Sequence, residues 1–193
     1  MKSIKFFLLV LVALAVQGCG LNMQNHYVKM RPHLVSGNYD AANDYLDLTK
    51  KSFYKSEKNR LLFFMDKAMV LHGAGRYEES NAFLEKAKVA AQELWTESIG
   101  ENIGAILTTD NSLSYAGEDF ERVLIHFIGA LNYIGLRDYS AARVEARQLT
   151  NKLEMYSRSH KGHRSAYTDD AFSRWLAGKL AETGGGMSGL NDA

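Results

Sequence analysis

Two glutamates and one histidine between residues 118 and 126 have the types and spacing that acid–base chemistry needs. Glu118 and Glu121 are three residues apart, so on a helix they share a face, and a close carboxylate pair raises the pKa of one member. His126 would complete the set of acidic and basic groups. The pattern also has a structural interpretation, because acidic residues stabilise the start of a helix through its dipole. Catalysis by these three residues is therefore kept as the alternative, and we do not predict an enzyme.

Motifs for metals and cofactors are weak in this sequence. The spacing Glu-x-x-x-x-His lacks the second histidine of a zinc-protease motif. His160 and His163 lie in the basic segment 157–165 without a nearby acid or thiol, which makes a poor metal site. That segment is expected to be a solvated loop, or to contact anionic headgroups or an acidic partner. No phosphate-binding glycine motif occurs, so we expect neither metal nor cofactor.

Composition excludes several classes of protein. Hydrophobic residues make up 46% of the 193 residues and charged residues 23%, which argues against intrinsic disorder. The 23 Lys and Arg are balanced by 22 Asp and Glu, so there is no bulk positive charge for nucleic acid. One cysteine excludes an intramolecular disulfide framework. These values predict a folded domain that does not bind nucleic acid.

The chain begins with a charged and then apolar segment, MKSIKFFLLVLVALAVQGCG. The apolar run from Phe6 to Val16 covers 11 residues, or about 16 Å as a helix. A bilayer core is about 30 Å thick, so the run has the length of a signal-peptide core and is too short to span.

Val16-Gln17-Gly18-Cys19 resembles the lipobox of bacterial lipoproteins. The resemblance implies cleavage before Cys19 and its acylation with palmitate-type chains, which anchor a protein stably when several are present. Residues 1–18 are then the signal peptide and residues 19–25 an acylated tether. A glycine after the cysteine, here Gly20, resembles the pattern of lipoproteins that are sent to the outer membrane. The resemblance implies that the rest of the chain lies on the periplasmic side.

Residues 26–193 are predicted to be all-α, because apolar residues recur at intervals of three and four. Three segments share a turn and the start of a helix: GNYDAANDYL (37–46), GRYEESNAFL (75–84) and RDYSAARVEA (137–146). The first residue of each would end a helix in a left-handed turn. We expect the tyrosine to pack back on the first helix of its own hairpin. A small residue three positions later, Ala42, Ser80 or Ala142, would let the helices approach closely.

This pattern resembles the tetratricopeptide repeat, over residues 26–50, 60–92 and 122–153. The resemblance implies an α-solenoid of stacked helical hairpins, with a plain helical bundle as the alternative. The sequence departs from the family pattern because no unit ends in proline and Arg137 replaces the turn glycine of the third unit. Uneven spacing predicts an irregular insert near 96–121.

The end of that insert carries the candidate interaction residues. They resemble a signature in an uncharacterised family of bacterial lipoproteins: Tyr115, Gly117, Glu118, Phe120, Glu121 and His126. The resemblance supplies architecture and location but no activity. Residues 175–182 form a further amphipathic pattern, followed by a glycine-rich end. This predicts a partial array, truncated at its C-terminus or completed by another protein, with a frayed tail as the alternative.

Together these observations predict an outer-membrane lipoprotein that acts as a non-enzymatic scaffold for protein–protein interaction in the periplasm. The partners would be the membrane, through the lipid on Cys19, and an unidentified envelope protein or peptide held by the stacked hairpins. The alternative is an envelope enzyme that uses Glu118, Glu121 and His126.

Overall fold

The computed structural model describes residues 18–55, 57–101, 114–159 and 171–182. These ranges contain helices and turns and no strand, which confirms the all-α prediction. The helices are α1 (Gly18–Val35), α2 (Tyr39–Thr49), α3 (Arg60–Gly73), α4 (Tyr77–Glu101), α5 (Asp119–Gly135), α6 (Tyr139–Ser159) and α7 (Ala171–Glu182).

The first six helices pair into three hairpins. Helices α1 and α2 form hairpin 1, α3 and α4 form hairpin 2, and α5 and α6 form hairpin 3, while α7 packs against α6. Each helix packs mainly on its neighbours in sequence, with an additional contact between α3 and α5. The prediction of stacked helical hairpins is therefore confirmed.

The turns inside the three hairpins have the same geometry. Gly37, Gly75 and Arg137 have φ values of +72°, +73° and +60°. The next residue in each turn donates its backbone N–H to the carbonyl five residues earlier, at 2.8 to 2.9 Å. This is the hydrogen bond that closes a helix at a left-handed residue. Arg137 therefore takes the conformation that the sequence pattern assigns to glycine, although its side chain makes that conformation less favourable.

The hydrophobic core is a row of clusters and has no single centre. One cluster joins α1, α2 and α3 around Leu46 and Tyr54. The next joins α3, α4 and α5 around Leu61 and Ala87, and further clusters join α5 to α6 and α7. Such nearest-neighbour burial is the arrangement expected of repeat proteins.

Two junctions connect consecutive hairpins, and a tyrosine meets a glycine at each. At the first junction the ring of Tyr39 on α2 lies against Gly73 on α3, and at the second the ring of Tyr77 on α4 lies against Gly135 on α5. A Cβ atom added to either glycine would lie 2.8 Å from the tyrosine Cζ, closer than atoms pack.

These contacts go beyond the sequence prediction, because the rings of Tyr39 and Tyr77 pack against the first helix of the following hairpin. Tyr77 additionally contacts the His72 ring within its own hairpin, with centroids 5.6 Å apart. Tyr139 has no such glycine contact in the described residues and is 46% exposed. The small residues agree with the prediction, since Ala42, Ser80 and Ala142 are all fully buried.

A buried chain of polar side chains crosses the second junction. The carboxamide oxygen of Asn132 on α5 accepts from Nδ1 of His72 on α3, at 2.6 Å. Its amide nitrogen donates to Ser80 Oγ at 2.9 Å and to Asn81 Oδ1 at 2.7 Å, both on α4. Ser80 in turn donates to the carbonyl of Ala68 at 2.8 Å. Because Asn132 is fully buried, these bonds fix how hairpins 2 and 3 sit together.

Two expected irregular segments are partly helical. Residues 19–25, expected to be a tether, lie within α1, and residues 96–101 of the expected insert continue α4. Residues 102–113 of the insert, the signal peptide up to residue 17, the loop residues 160–170 and the end from 183 lie outside the described ranges.

Candidate functional site

Glu121 stabilises the start of α5. Its Oε2 accepts a hydrogen bond from the backbone N–H of Glu118 at 2.8 Å, so the two residues form the capping arrangement of a helix N-terminus. The hydroxyl of Tyr115 donates to the same carboxylate oxygen. The geometry therefore agrees with the structural interpretation of the Glu118–Glu121 spacing, in which the two residues stabilise the start of a helix.

Next to this helix start lies a cluster of tyrosines around one carboxylate, here called the Asp66 cluster (His26, Tyr27, Tyr54 and Asp66). Asp66 Oδ2 accepts from the Tyr54 hydroxyl at 2.6 Å and from the Tyr27 hydroxyl at 2.9 Å. His26 Nε2 lies 3.1 Å from the Tyr54 oxygen. Since the single Tyr54 proton goes to Asp66, His26 donates from Nε2 in this arrangement.

Burial sets the charge states in the Asp66 cluster. Burial raises the pKa of Asp66 to about 6, against the opposing effect of hydrogen bonds from Tyr54 and Tyr27. The charge of Glu121 adds to the rise. Burial also lowers the pKa of His26 to about 4, because its ring is stacked on Phe53 with centroids 3.7 Å apart. The cluster is thus built from neutral groups near neutral pH, apart from Asp66.

His126 belongs to a different cluster, on α4, α5 and α6. Its Nδ1 lies 2.8 Å from Glu145 Oε2, and the other carboxylate oxygen of Glu145 lies 2.5 Å from Lys88 Nζ. Burial alone would raise the pKa of Glu145, but the bonds from His126 and Lys88 outweigh it and hold that pKa below its usual value. Gly129 makes room for Glu145, since a Cβ there would lie 3.3 Å from its Cδ.

Beside Glu145 the same three helices enclose a pocket of about 280 Å³, here called the cationic pocket. Its lining includes three cations, one from each helix: Lys88, Arg122 and Lys152. The other lining residues are Ala91, Gln92, Ile125, His126, Gln148, Met155 and Tyr156. Within the described residues, the lining contains no Asp or Glu.

Two of these cations are close enough to influence each other. Arg122 is buried and donates from Nε and Nη2 to the carbonyl of Ala116, at 3.1 and 2.7 Å. Burial, together with the charge of Arg122, lowers the pKa of Lys152. Lys152 makes no ion pair with a described residue. The pocket therefore concentrates positive charge in a partly desolvated place, which favours an anion.

Phe120 and Gly117 lie elsewhere around α5. Phe120 lines an apolar cleft of about 360 Å³ between α5, α6 and α7, together with Leu124 and Phe172. Gly117 has φ +76°, and a Cβ there would lie 2.9 Å from Leu61 Cδ2. Glycine is thus needed for this loop to close on α3.

The six candidate interaction residues are accordingly distributed around α5 and do not form one site. Tyr115 and Glu121 adjoin the Asp66 cluster, and Glu118 begins α5 with an exposed side chain. Phe120 enters the apolar cleft, Gly117 packs on α3, and His126 enters the cationic pocket. Glu121 and His126 each have a different hydrogen-bond partner, so the proposed catalytic trio is not assembled. The side chain of Cys19 and residues 160–170 of the basic loop lie outside the described part of the chain.

Sequence reasoning missed the residues that complete both clusters. Asp66, Lys88 and Lys152 lie within amphipathic helices, where charged residues normally face solvent. The one available signal was Glu145, a charge within the stripe that includes Ala142 and Ala146. The partners of Glu145, His126 and Lys88, are 19 and 57 residues away in sequence, so only the packing of the hairpins brings these residues together.

Comparisons with protein-family models, curated proteins and solved structures find no match for this chain. Among the described helices, none is both long and apolar enough to cross a membrane. The described residues contain no group of three or more His, Cys, Asp or Glu side chains that could hold a metal ion.

Proposed function

We propose that this chain is an outer-membrane lipoprotein, anchored through acylated Cys19, whose tetratricopeptide-like hairpins bind an envelope protein or peptide without catalysing a reaction. The lipid would hold the hairpins at the membrane and so raise their effective concentration near a membrane-bound partner. The sequence features that support the anchor are the lipobox and the single cysteine at its end.

The observation that carries the binding role is the cationic pocket at the meeting of two hairpins. Hairpin 2 supplies Lys88 and hairpin 3 supplies Arg122 and Lys152, so the pocket exists only when the hairpins stack. Binding surfaces in repeat proteins arise in this way, from side chains of adjacent units. Polar and apolar side chains line it together, as in sites that fix both the position and the identity of a ligand.

The enzyme alternative has less support from this geometry. Glu121 is occupied in capping α5, and His126 is held by Glu145. A nucleophile or base needs its partner within hydrogen-bond reach, and the trio of Glu118, Glu121 and His126 lacks that arrangement. We therefore keep binding as the proposed function.

Site-specific photocrosslinking in cells tests the binding role. A photoreactive amino acid at Gln148, an exposed residue of the pocket lining, is expected to crosslink to one defined protein. The matched control is Leu48, which is 81% exposed on α2 and not among the lining residues of the pocket. Equal crosslinking from both positions, or none from Gln148, would contradict the proposal.

Fractionation tests the anchor separately. Cys19→Ser is expected to abolish incorporation of a labelled fatty acid and to release the chain from the membrane fraction. Since Cys19 is the one cysteine, no other thiol of the chain can carry the label. Lipid incorporation that persists in Cys19→Ser would contradict the assignment.

A further inference from the structure

We propose that the cationic pocket is a subsite for a carboxylate group of an acidic peptide, held chiefly by the ammonium of Lys152 with Arg122 and Lys88 around it. This inference rests on the proposed binding function and names the chemistry of its ligand. It follows from how charge is distributed inside the pocket and from the shape of its walls.

The charges of the surroundings are only partly balanced. Glu145 neutralises one positive charge, because its two oxygens contact Lys88 and His126. Glu85, an exposed residue, adds a contact of 2.7 Å to Lys88. Lys152 has no such acid in the described chain and shares its half-buried position with the charge of Arg122. An incoming anion would supply the missing opposite charge and would relieve the repulsion between the two cations.

The walls favour a carboxylate on a short aliphatic stem. Ala91, Ile125 and Met155 give the pocket an apolar side that can contact methylene groups of a glutamate. Gln148 is an exposed member of the lining, and its amide can bond to the backbone of a bound peptide. The volume of about 280 Å³ admits one such side chain.

A membrane surface is the less suitable anion. Lipid headgroups are typically bound by four to eight exposed Lys and Arg residues spread over a surface. Here three cations line a pocket between three helices, and Arg122 is only 6% exposed. A flat bilayer would not reach these groups, whereas a peptide side chain would.

Binding of short peptides to the full-length chain in nonionic detergent tests the inference. The probe is a fluorescent peptide of six glutamates, with unlabelled hexaglutamate, hexaglutamine, inorganic phosphate and phosphatidylglycerol vesicles as competitors. Hexaglutamate is expected to displace the probe. The other three competitors should bind at least about tenfold more weakly, a difference of about 1.4 kcal/mol in binding free energy. Equal competition by phosphate or by the vesicles would overturn the assignment to a peptide carboxylate.

Variants of one lysine separate charge from shape. Lys152→Met is expected to weaken hexaglutamate binding about tenfold or more, and Lys152→Arg to stay within about threefold of wild type. Lys86→Met is the matched control, because Lys86 is an exposed residue of α4 outside the lining. Undiminished binding to Lys152→Met, or an equal loss with Lys86→Met, would overturn the proposal.

Stability distinguishes a lost ligand contact from a damaged fold. Burial and Arg122 lower the pKa of Lys152, which means that its charge opposes folding. Lys152→Met should therefore melt at the same or a higher temperature while binding less peptide. A fall in melting temperature that parallels the loss of binding would contradict the role given to Lys152.

The two proposals can fail separately. If Gln148 crosslinks to a defined protein but hexaglutamate does not bind, the carboxylate assignment is wrong and the binding function stands. If hexaglutamate binds through Lys152 but Gln148 captures nothing in cells, the proposed function is wrong although the anion site exists.

Discussion

The two junctions between hairpins have the same steric contact and different polar groups. Both place a tyrosine ring against a glycine. At the first junction an ion pair joins Lys67 to Asp47 at 2.6 Å. The second junction has an ion pair too, between Lys88 and Glu145, and it adds a chain of hydrogen bonds through buried Asn132. The shared contact sets the distance between hairpins, and the polar groups give each junction its own partner.

The buried carboxylates near the two junctions, Asp66 and Glu145, also differ in the groups that bind them. Asp66 is held by tyrosine hydroxyls, and burial raises its pKa to about 6. Glu145 is held by Lys88 and His126, and its pKa stays below the usual value. Hydroxyl donors thus leave a buried carboxylate easy to protonate, while a set of donors that includes an ammonium keeps it charged. Only the second arrangement has positive charge beyond what its own carboxylate balances, which is why we place the anion site there.

Removing the buried amide of the second junction should have the largest effect. Asn132→Leu keeps the approximate shape but leaves Ser80, Asn81 and His72 without their common partner. We expect a loss of about 3 kcal/mol in the free energy of unfolding, because buried polar groups without a partner are costly. Urea denaturation measures this loss.

The first junction supplies the control for Asn132→Leu. Exposed Asp47 can be changed to Asn, which removes the ion pair with Lys67 but keeps a polar acceptor. We expect a clearly smaller loss, about 1 kcal/mol. If both variants lose the same amount, the two junctions do not differ as their polar groups indicate.

The Asp66 cluster should have two opposing pH dependences, because burial shifts the pKa values of Asp66 and His26 in opposite directions. Asp66 has a raised pKa of about 6, so its contribution to stability is complete below about pH 4 and is lost as the pH rises to 6. His26 has a lowered pKa of about 4, so its contribution is complete above about pH 6.5 and is lost as the pH falls to 4. In wild type the two largely cancel.

Single variants should expose each slope. Relative to wild type, Asp66→Asn should become more stable as the pH rises from about 4 to 6. His26→Gln should become less stable relative to wild type as the pH rises from about 4 to 6.5. Urea denaturation at several pH values within this window measures both differences. Parallel curves for wild type and both variants would show that neither group changes its pKa on folding.

Local sequence patterns made the helices and turns of this fold predictable. The contacts between helices were less predictable, because they join residues that are far apart in the sequence. The turn signal at Gly37, Gly75 and Arg137 lies within a few residues of sequence, and all three turns form as predicted. The packing of Tyr39 and Tyr77 on the following hairpin was not predicted, because a tyrosine at the start of a helix can face either neighbouring helix. Only the glycines at the ends of α3 and α5 decide between them, 34 and 58 residues further along the chain.

The site was less predictable than the fold for the same reason. Periodicity identifies which residues share a face of one helix, but it does not identify which helix faces them. Glu121 was correctly considered as a helix-start residue, since capping is local. The pairing of Glu145 with Lys88 depends on the stacking of two hairpins and has no local signal.

The smallest expected effect tests what the two junctions share. Gly73→Ala and Gly135→Ala should each lower the free energy of unfolding by about 1 kcal/mol, because the added methyl group meets a tyrosine ring and the gain in helix propensity offsets part of that loss. The loss should disappear when the facing ring is absent, so Gly135→Ala should be neutral or stabilising in a Tyr77→Ala background. A double-mutant cycle by urea denaturation measures this coupling. If Gly135→Ala is equally harmful with and without the ring, the contact does not set the spacing of the hairpins. A similar coupling for Gly73 with Tyr39 would establish one steric rule for both junctions, whatever their polar groups.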